Sequence, residues 1–186
     1  IQLVQENAAT ETKKKASGAS KKDTQQAILW IDKIIILKEK NDSTIRKNCR
    51  DDSSVQKTID SAFSLFINKN PKLSEYLSLY IDDNIKKSED KSEEYMENFM
   101  EKTITVFRFI KDKDLFEKYY KNHLAKRLLK STNDYERTLI TKFTNEIGST
   151  FTSKFEGMFR DMNMSKELST EFNQRKFEVS ILTKTF

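Results

Sequence analysis

Three glycines and a single proline in 186 residues leave this chain few places at which it can turn sharply. Glycine supplies the left-handed backbone that tight turns need, and proline ends or kinks helices, so a chain poor in both favours long helices over a turn-rich β fold. Abundant Lys, Glu, Leu and Ile push the same way. Thirteen phenylalanines are too many apolar rings for a disordered chain, so most of it must pack. The expected fold class is all-α, with length enough for one domain or two small ones. The chain opens on Ile1 rather than Met, which we read as a fragment or a processed product.

Charged residues make up 34% of the chain and leave it at +5. A basic balance allows an acidic partner or nucleic acid, but most such charge solvates helix faces. One cysteine forbids an internal disulfide framework and fits a reducing compartment. No apolar run approaches the roughly 18 residues that a membrane span needs.

Along the chain, residues 1–22 hold Lys13, Lys14, Lys15, Lys21 and Lys22 and few large apolar groups, and read as a flexible arm or loop. Asp23 with Gln26 reads as a helix cap with its reciprocal partner. From Ala27 to Leu37 the apolar surface is wider than one stripe, so the helix there is expected to be covered on two sides. Val55, Ile59, Ala62, Phe63 and Phe66 sit at helical spacing after a cap at Asp52 or Ser53. Asn70-Pro71 marks a turn. Leu73, Tyr76, Leu77, Tyr80 and Ile81 form the next apolar row, which ends near Lys86 and Lys87. The polar stretch Ser88–Ser92 reads as a domain boundary.

Four further helices follow. The first carries Met96, Phe99, Met100, Thr103, Phe107 and Ile110 and stops at Asp112. The second carries Phe116, Tyr120, Leu124 and Leu128, with Leu115, Tyr119 and Leu129 at neighbouring angles, and reads as an interior helix. The third holds Leu139, Ile140, Phe143 and Ile147 and ends at Gly148. The fourth holds Phe151, Phe155, Met158, Phe159 and Met162. Short connections make a four-helix bundle the expected arrangement over 89–173. Ser165 reads as the cap of a separate short helix bearing Leu168 and Phe172. At the end, Phe177, Val179 and Ile181 alternate with polar residues, which is a strand pattern that needs a partner.

Catalytic chemistry is poorly supplied. His123 lies on the most apolar helix, where a packed, hydrogen-bonded ring is the expected role. Cys49 has Lys47 and Arg50 beside it, which would lower its pKa, but no second histidine exists to pair with it. One histidine and one cysteine are too few ligands for a structural zinc, and no glycine-rich phosphate loop is present. No cofactor is expected. Lys118, Lys121, Lys126, Arg127 and Lys130 cluster late in the second of these helices, either as ordinary solvated charge or as a docking surface for an acidic partner. The tyrosines among them sit at core spacing, which argues against nucleic acid. From residue chemistry alone, the alternatives are a helical protein-interaction module and a basic nucleic-acid binder.

Longer motifs go further. The run FRFIKDKDLFEKYYKNHLAKRLL, Phe107–Leu129, resembles a cullin signature, and IGSTFTSKFEGMFRDM, Ile147–Met162, resembles a second one from the same region. EYLSLYIDDNIKK, Glu75–Lys87, and WIDKIIILKEKND, Trp30–Asp42, are similar to helices of the family's last N-terminal repeat. The matches fall in family order over residues 24–186. Among branches, EYLSLYIDD and FEKYYKNHLAKRLL are most similar to the one that uses BTB-domain adaptors, then to the one with a β-propeller adaptor.

The resemblance implies a non-catalytic scaffold of a ubiquitin ligase, found in cytoplasm and nucleus. Residues 23–88 would end the last cullin repeat, 89–173 would form the bundle, and 174–186 would be the first strand of a truncated α/β domain. Phe177, Val179, Ile181 and Thr183 would lie on the strand that meets a RING subunit, with a conjugating enzyme recruited indirectly. The substrate adaptor would be held by repeats that precede Ile1. No membrane partner is implied. The sequence departs from the family in short connections at Lys130–Tyr135 and Asn173–Lys176. It also has Phe for Leu at Phe143 and Phe155, and Ile147 where Cys is common.

Overall fold

The computed structural model describes residues 21–48, 53–130 and 134–173. Seven α-helices account for nearly all of them: α1 (Lys21–Asn48), α2 (Ser53–Ile67), α3 (Leu73–Lys86), α4 (Glu93–Arg108), α5 (Lys113–Leu128), α6 (Asp134–Ile147) and α7 (Ser149–Asn173). A single 3₁₀ turn, Ser88–Asp90, joins α3 to α4. The alternating segment from Phe177 to Thr183 and Cys49 lie outside the described residues, as does the arm up to residue 20.

The helix ends follow local chemistry. At the α2–α3 turn, Asn70 folds back to accept the Lys72 backbone N–H at 3.0 Å, which satisfies a donor beside Pro71. Ser92 caps α4 by accepting from the Tyr95 N–H, and Asp112 caps α5 by accepting from the Leu115 N–H. Gly148 has φ +93° between α6 and α7, a conformation that side-chain-bearing residues rarely adopt. The C-terminus of α4 is finished from a distance. Asn68 donates to the Phe109 carbonyl at 2.7 Å and accepts from the Lys111 N–H at 3.0 Å, while Lys113 reaches the Ile110 carbonyl.

One buried apolar cluster runs from Ala27 in α1 to Met162 in α7, passing across Ser88 without a break. The rows read from the sequence in α3 and α4 are buried throughout. Helix α3 is central: it packs most extensively on α5 and α1. In α4–α7 the filling is aromatic. Phe143 lies within 5.6 Å of the Phe107, Phe116 and Tyr120 ring centroids, and Tyr120 sits 5.0 Å from Phe155. Phenylalanine at 143 thus packs among rings from three other helices, and Phe155 against Tyr120 of α5.

Several expectations are corrected. Helix α1 starts at Lys21, so Lys21 and Lys22 are helical and Asp23 lies in the first turn, where its charge suits the helix dipole, instead of at the cap. Helix α1 is not covered on two sides: Ala27, Ile31, Ile34 and Ile35 face inward, but Leu29 and Ile36 are each 62% exposed. Helix α2 buries Phe63 and Ile67 yet leaves Phe66 exposed, because its neighbours lie on one side only. Helix α5 is not an interior helix, since Lys118, Asn122, Lys126 and Leu129 face solvent. Ser165 starts no new helix. Helix α7 continues through it to Asn173, and Ser165 is buried on the inward face.

Candidate interaction site

Helices α3 and α5 run side by side in the same sense, and polar side chains fix their register. Ser78 Oγ lies 2.8 Å from His123 Nδ1, and one turn further along both helices Asp82 Oδ1 accepts from Arg127 Nη1 at 2.7 Å. Each pair spans 45 residues, so a slip of one helix by a single turn would break both. Arg127 then turns its other edge to α6. Its Nε donates to Glu136 Oε2 and its Nη2 to Glu136 Oε1, both at 2.7 Å. The Tyr120 hydroxyl donates to Glu136 Oε1 at 2.6 Å, and Lys86 donates to the second oxygen of Asp82. Arg127 is 6% exposed and Glu136 1%, so this forked pair is largely shielded from solvent.

The electrostatics are consistent with charged partners. Burial works against the Arg127 charge, but Glu136 and Asp82 more than offset it and raise the guanidinium pKa. Burial pushes the Asp82 carboxyl up. The Lys86 hydrogen bond and Arg127 outweigh that and hold it below its ordinary 3.8. Burial, helped by the charge on Glu136, raises the Tyr120 phenol far above its usual range, so it keeps the proton that it donates to Glu136. His123 is pulled down by burial more than Asp82 lifts it, which keeps the ring neutral. It is a packed, hydrogen-bonded histidine, as its position in the sequence suggested.

Of the basic cluster, Lys118, Lys126 and Lys130 are exposed and Lys121 is half-buried. Arg127 does not belong with them. Its guanidinium is consumed by Asp82 and Glu136, so it cannot meet an acidic partner, and it is withdrawn from the docking set. Sequence spacing alone hid this, because Arg127 sits one residue before the apolar Leu128 and reads as part of the lysine run. The signal in the sequence was weak: Glu136 is one of two acidic residues in the first turn of α6, and only its burial, which calls for a buried cation, sets it apart from Asp134. Lys130 lies at the mouth of a cleft of about 330 Å³ whose floor includes Arg127 and Glu136. No group of three or more metal-ligating side chains occurs among the described residues, and no described helix is long and apolar enough to cross a membrane.

Fold and seam together describe a helical framework whose most ordered chemistry holds helices to one another. The cullin alpha solenoid domain matches residues 2–169. Cullin-3 of Schizosaccharomyces pombe is 38% identical over 187 residues, covering 93% of this chain and 24% of the relative. Cullin-3 of Dictyostelium discoideum is 41% identical over 153 residues, covering 80% and 20%. Cullin-4A of Homo sapiens is 36% identical over 146 residues, covering 76% and 19%. This chain belongs to the cullin family. Its Cullin-3 relatives agree with the branch that its FEKYYKNHLAKRLL motif resembles. It spans about a quarter or less of the length of these curated relatives.

Proposed function

We propose that this chain is a segment of the scaffold of a cullin-RING ubiquitin ligase, and that it transmits a fixed geometry between the adaptor end and the RING end. The observation that carries this is the seam. Two parallel helices are pinned in register at Ser78–His123 and Asp82–Arg127, and a third is tied to them through Glu136. A scaffold must resist sliding between packed helices, and paired buried polar groups oppose it because a slip leaves charges uncompensated. Dense interiors pass position along.

In this reading residues 23–88 close the last repeat, 89–173 form a bundle built on the shared aromatic centre, and 174–186 enter an α/β domain. Phe177, Val179, Ile181 and Thr183 would then lie where a RING subunit adds a strand. A BTB-type adaptor binds elsewhere in the whole protein, which works in cytoplasm and nucleus. Lys118, Lys121, Lys126 and Lys130 offer a docking surface to an acidic segment. The chain itself transfers no ubiquitin.

The test replaces the matching segment of the Schizosaccharomyces pombe Cullin-3 relative with this chain. The chimera should retain adaptor and RING subunit and ubiquitinate an adaptor-bound substrate within a few-fold of the parent rate. A chimera that holds both subunits but moves no ubiquitin to the substrate would overturn the fixed-geometry role.

A further inference from the structure

Side chains from the first three helices converge on the corner between α4 and α5, residues 109–112. Asn68, directly after α2, donates one amide N–H to the Phe109 carbonyl and the other to the Ser64 carbonyl, both at 2.7 Å. Its Oδ1 accepts from the Lys111 backbone N–H at 3.0 Å. Both N–H groups and the oxygen of the amide are thereby used, and a flipped amide would set carbonyl against carbonyl, so the side chain holds one orientation. Ser74 of α3 donates to the Asp112 carbonyl at 3.1 Å. Phe63 of α2 meets the Phe109 ring edge-on at 5.0 Å, and Lys38 of α1 lies 5.5 Å from the centre of the same ring.

These contacts differ in what they restrict. Apolar ring packing and a cation over a ring survive a modest rotation, because neither needs a single line of approach. Phe109 is therefore a bearing on which α2 can turn. The Asn68 bonds are directional and weaken steeply once donor and acceptor lose alignment, so they fix the angle. Helix α2 is otherwise lightly held. It packs chiefly on α1 and buries Phe63 and Ile67, while Leu65 and Phe66 stay exposed. Lys38–Asp60 and Gln56–Asp42 tie it to α1, not to the helices that follow α3.

We infer that Asn68 is a positioning residue, a clasp that sets the angle of α2 against the α4–α5 corner. Without it α2 turns on Phe109 while the helices behind it stay folded. The consequence for function rests on the scaffold reading, in which α2 belongs to the repeat and α4–α7 to the bundle. The angle between them is then part of the geometry that the scaffold passes on. Ser78–His123 and Asp82–Arg127 oppose sliding of α3 along α5, whereas the clasp opposes a rotation that those pairs do not reach.

The test is a distance measurement on the full chain between spin labels on Lys57 and Lys118, which are exposed on α2 and α5. Lys57 lies about 16 Å along the helix from Asn68, so a swing of about 10° moves it by about 3 Å. Labels on Asp83 and Lys126, across the α3–α5 seam, serve as the control pair. Asn68→Ala should broaden the Lys57–Lys118 distribution and move its mean by a few ångströms, with the Asp83–Lys126 distribution as narrow as in wild type. Asn68→Asp, which keeps an acceptor for Lys111 but loses both donors, should do the same. Ile59→Ala, which weakens the middle of α2 away from the corner, should move neither pair. An unchanged Lys57–Lys118 distribution in Asn68→Ala, equal broadening of both pairs, or the same shift in Ile59→Ala would each overturn the inference. So would loss of folding in both Asn68 variants by circular dichroism, because Asn68 would then be needed for the fold and not for the angle. The distances are read on the chain itself, so a negative result leaves the ligase reading in place, and a chimera that moves no ubiquitin leaves the clasp in place.

Discussion

The aromatic centre of α4–α7 and the polar seam of α3, α5 and α6 touch one another at Tyr120, yet they hold the chain together by different physics. Around Phe143 the contacts are rings at 4.7–5.6 Å, with stabilisation that scales with buried area and depends little on pH. At Arg127 the contacts are charged and directional, and their net worth is small once desolvation is counted, although losing one partner is costly. The ring cluster tolerates a shift of a few tenths of an ångström. The seam does not, since a bidentate pair has one geometry. Stability comes chiefly from the first region and register chiefly from the second.

The largest effects should come from breaking either region once. Phe143→Ala should cost about 3–5 kcal/mol in denaturant unfolding, through lost burial and a residual cavity. Arg127→Met should cost a similar 3–5 kcal/mol, because Glu136 is left buried without a cation and Asp82 keeps only Lys86. The two separate on acidification. As pH falls from 7 the Arg127→Met deficit should shrink, because losing Arg127 lifts the Asp82 carboxyl and lets it take up a proton earlier than in the wild type, whereas the Phe143→Ala deficit should not. Parallel pH responses would mean that the seam is no more electrostatic than the core.

Replacing the seam as a unit sharpens the distinction. A protein with Asp82→Leu, Tyr120→Phe, Arg127→Met and Glu136→Leu together should recover most of the stability, landing within about 1–2 kcal/mol of wild type. Its α3–α5 spacing, measured between spin labels on Asp83 and Lys126, should nonetheless broaden. An unchanged, narrow distance distribution would show that apolar packing alone sets the register.

Gly148→Ala should cost about 1–2 kcal/mol, for the positive φ and not for crowding, since no atom lies within 4 Å of an added Cβ. A neutral result in thermal melts would mean that the α6–α7 corner relaxes. A smaller effect belongs to His123. Its folded pKa lies below the ordinary 6.5, so the unfolded chain binds the proton more tightly. Its contribution is complete above pH 6.5 and is lost as pH falls below that value towards the folded pKa. Asp82 is also depressed, but from 3.8, so it acts only in stronger acid. His123→Asn should flatten the stability profile between pH 7 and 5, and an unchanged slope would assign the dependence elsewhere. Smallest of all, Arg108→Ala removes an ion pair to Glu146 whose arginine is largely exposed, and should cost under about 1 kcal/mol.

The helices and most of their inward rows were legible in the sequence. Leu73, Tyr76, Leu77, Tyr80 and Ile81 could be assigned to one face because helical periodicity places them there before any neighbour is known. The helix boundary at Asp112 and the stop at Gly148 are equally local. The candidate site was only half legible. Lys118, Lys126 and Lys130 reached the surface as their positions suggested, but Arg127 was indistinguishable from them by spacing.

What the sequence determined by itself is what each turn of backbone can settle: where helices begin, where they stop, and which side chains share a face. The tertiary structure decided which of those faces found a cover. Ile31 and Leu29 are equally apolar, yet one is fully buried and the other open. Arg127 and Lys126 carry the same charge, yet only the first meets Glu136. The physical reason is that burial and ion pairing depend on groups many residues away, brought near by packing, and a single helix carries no record of them.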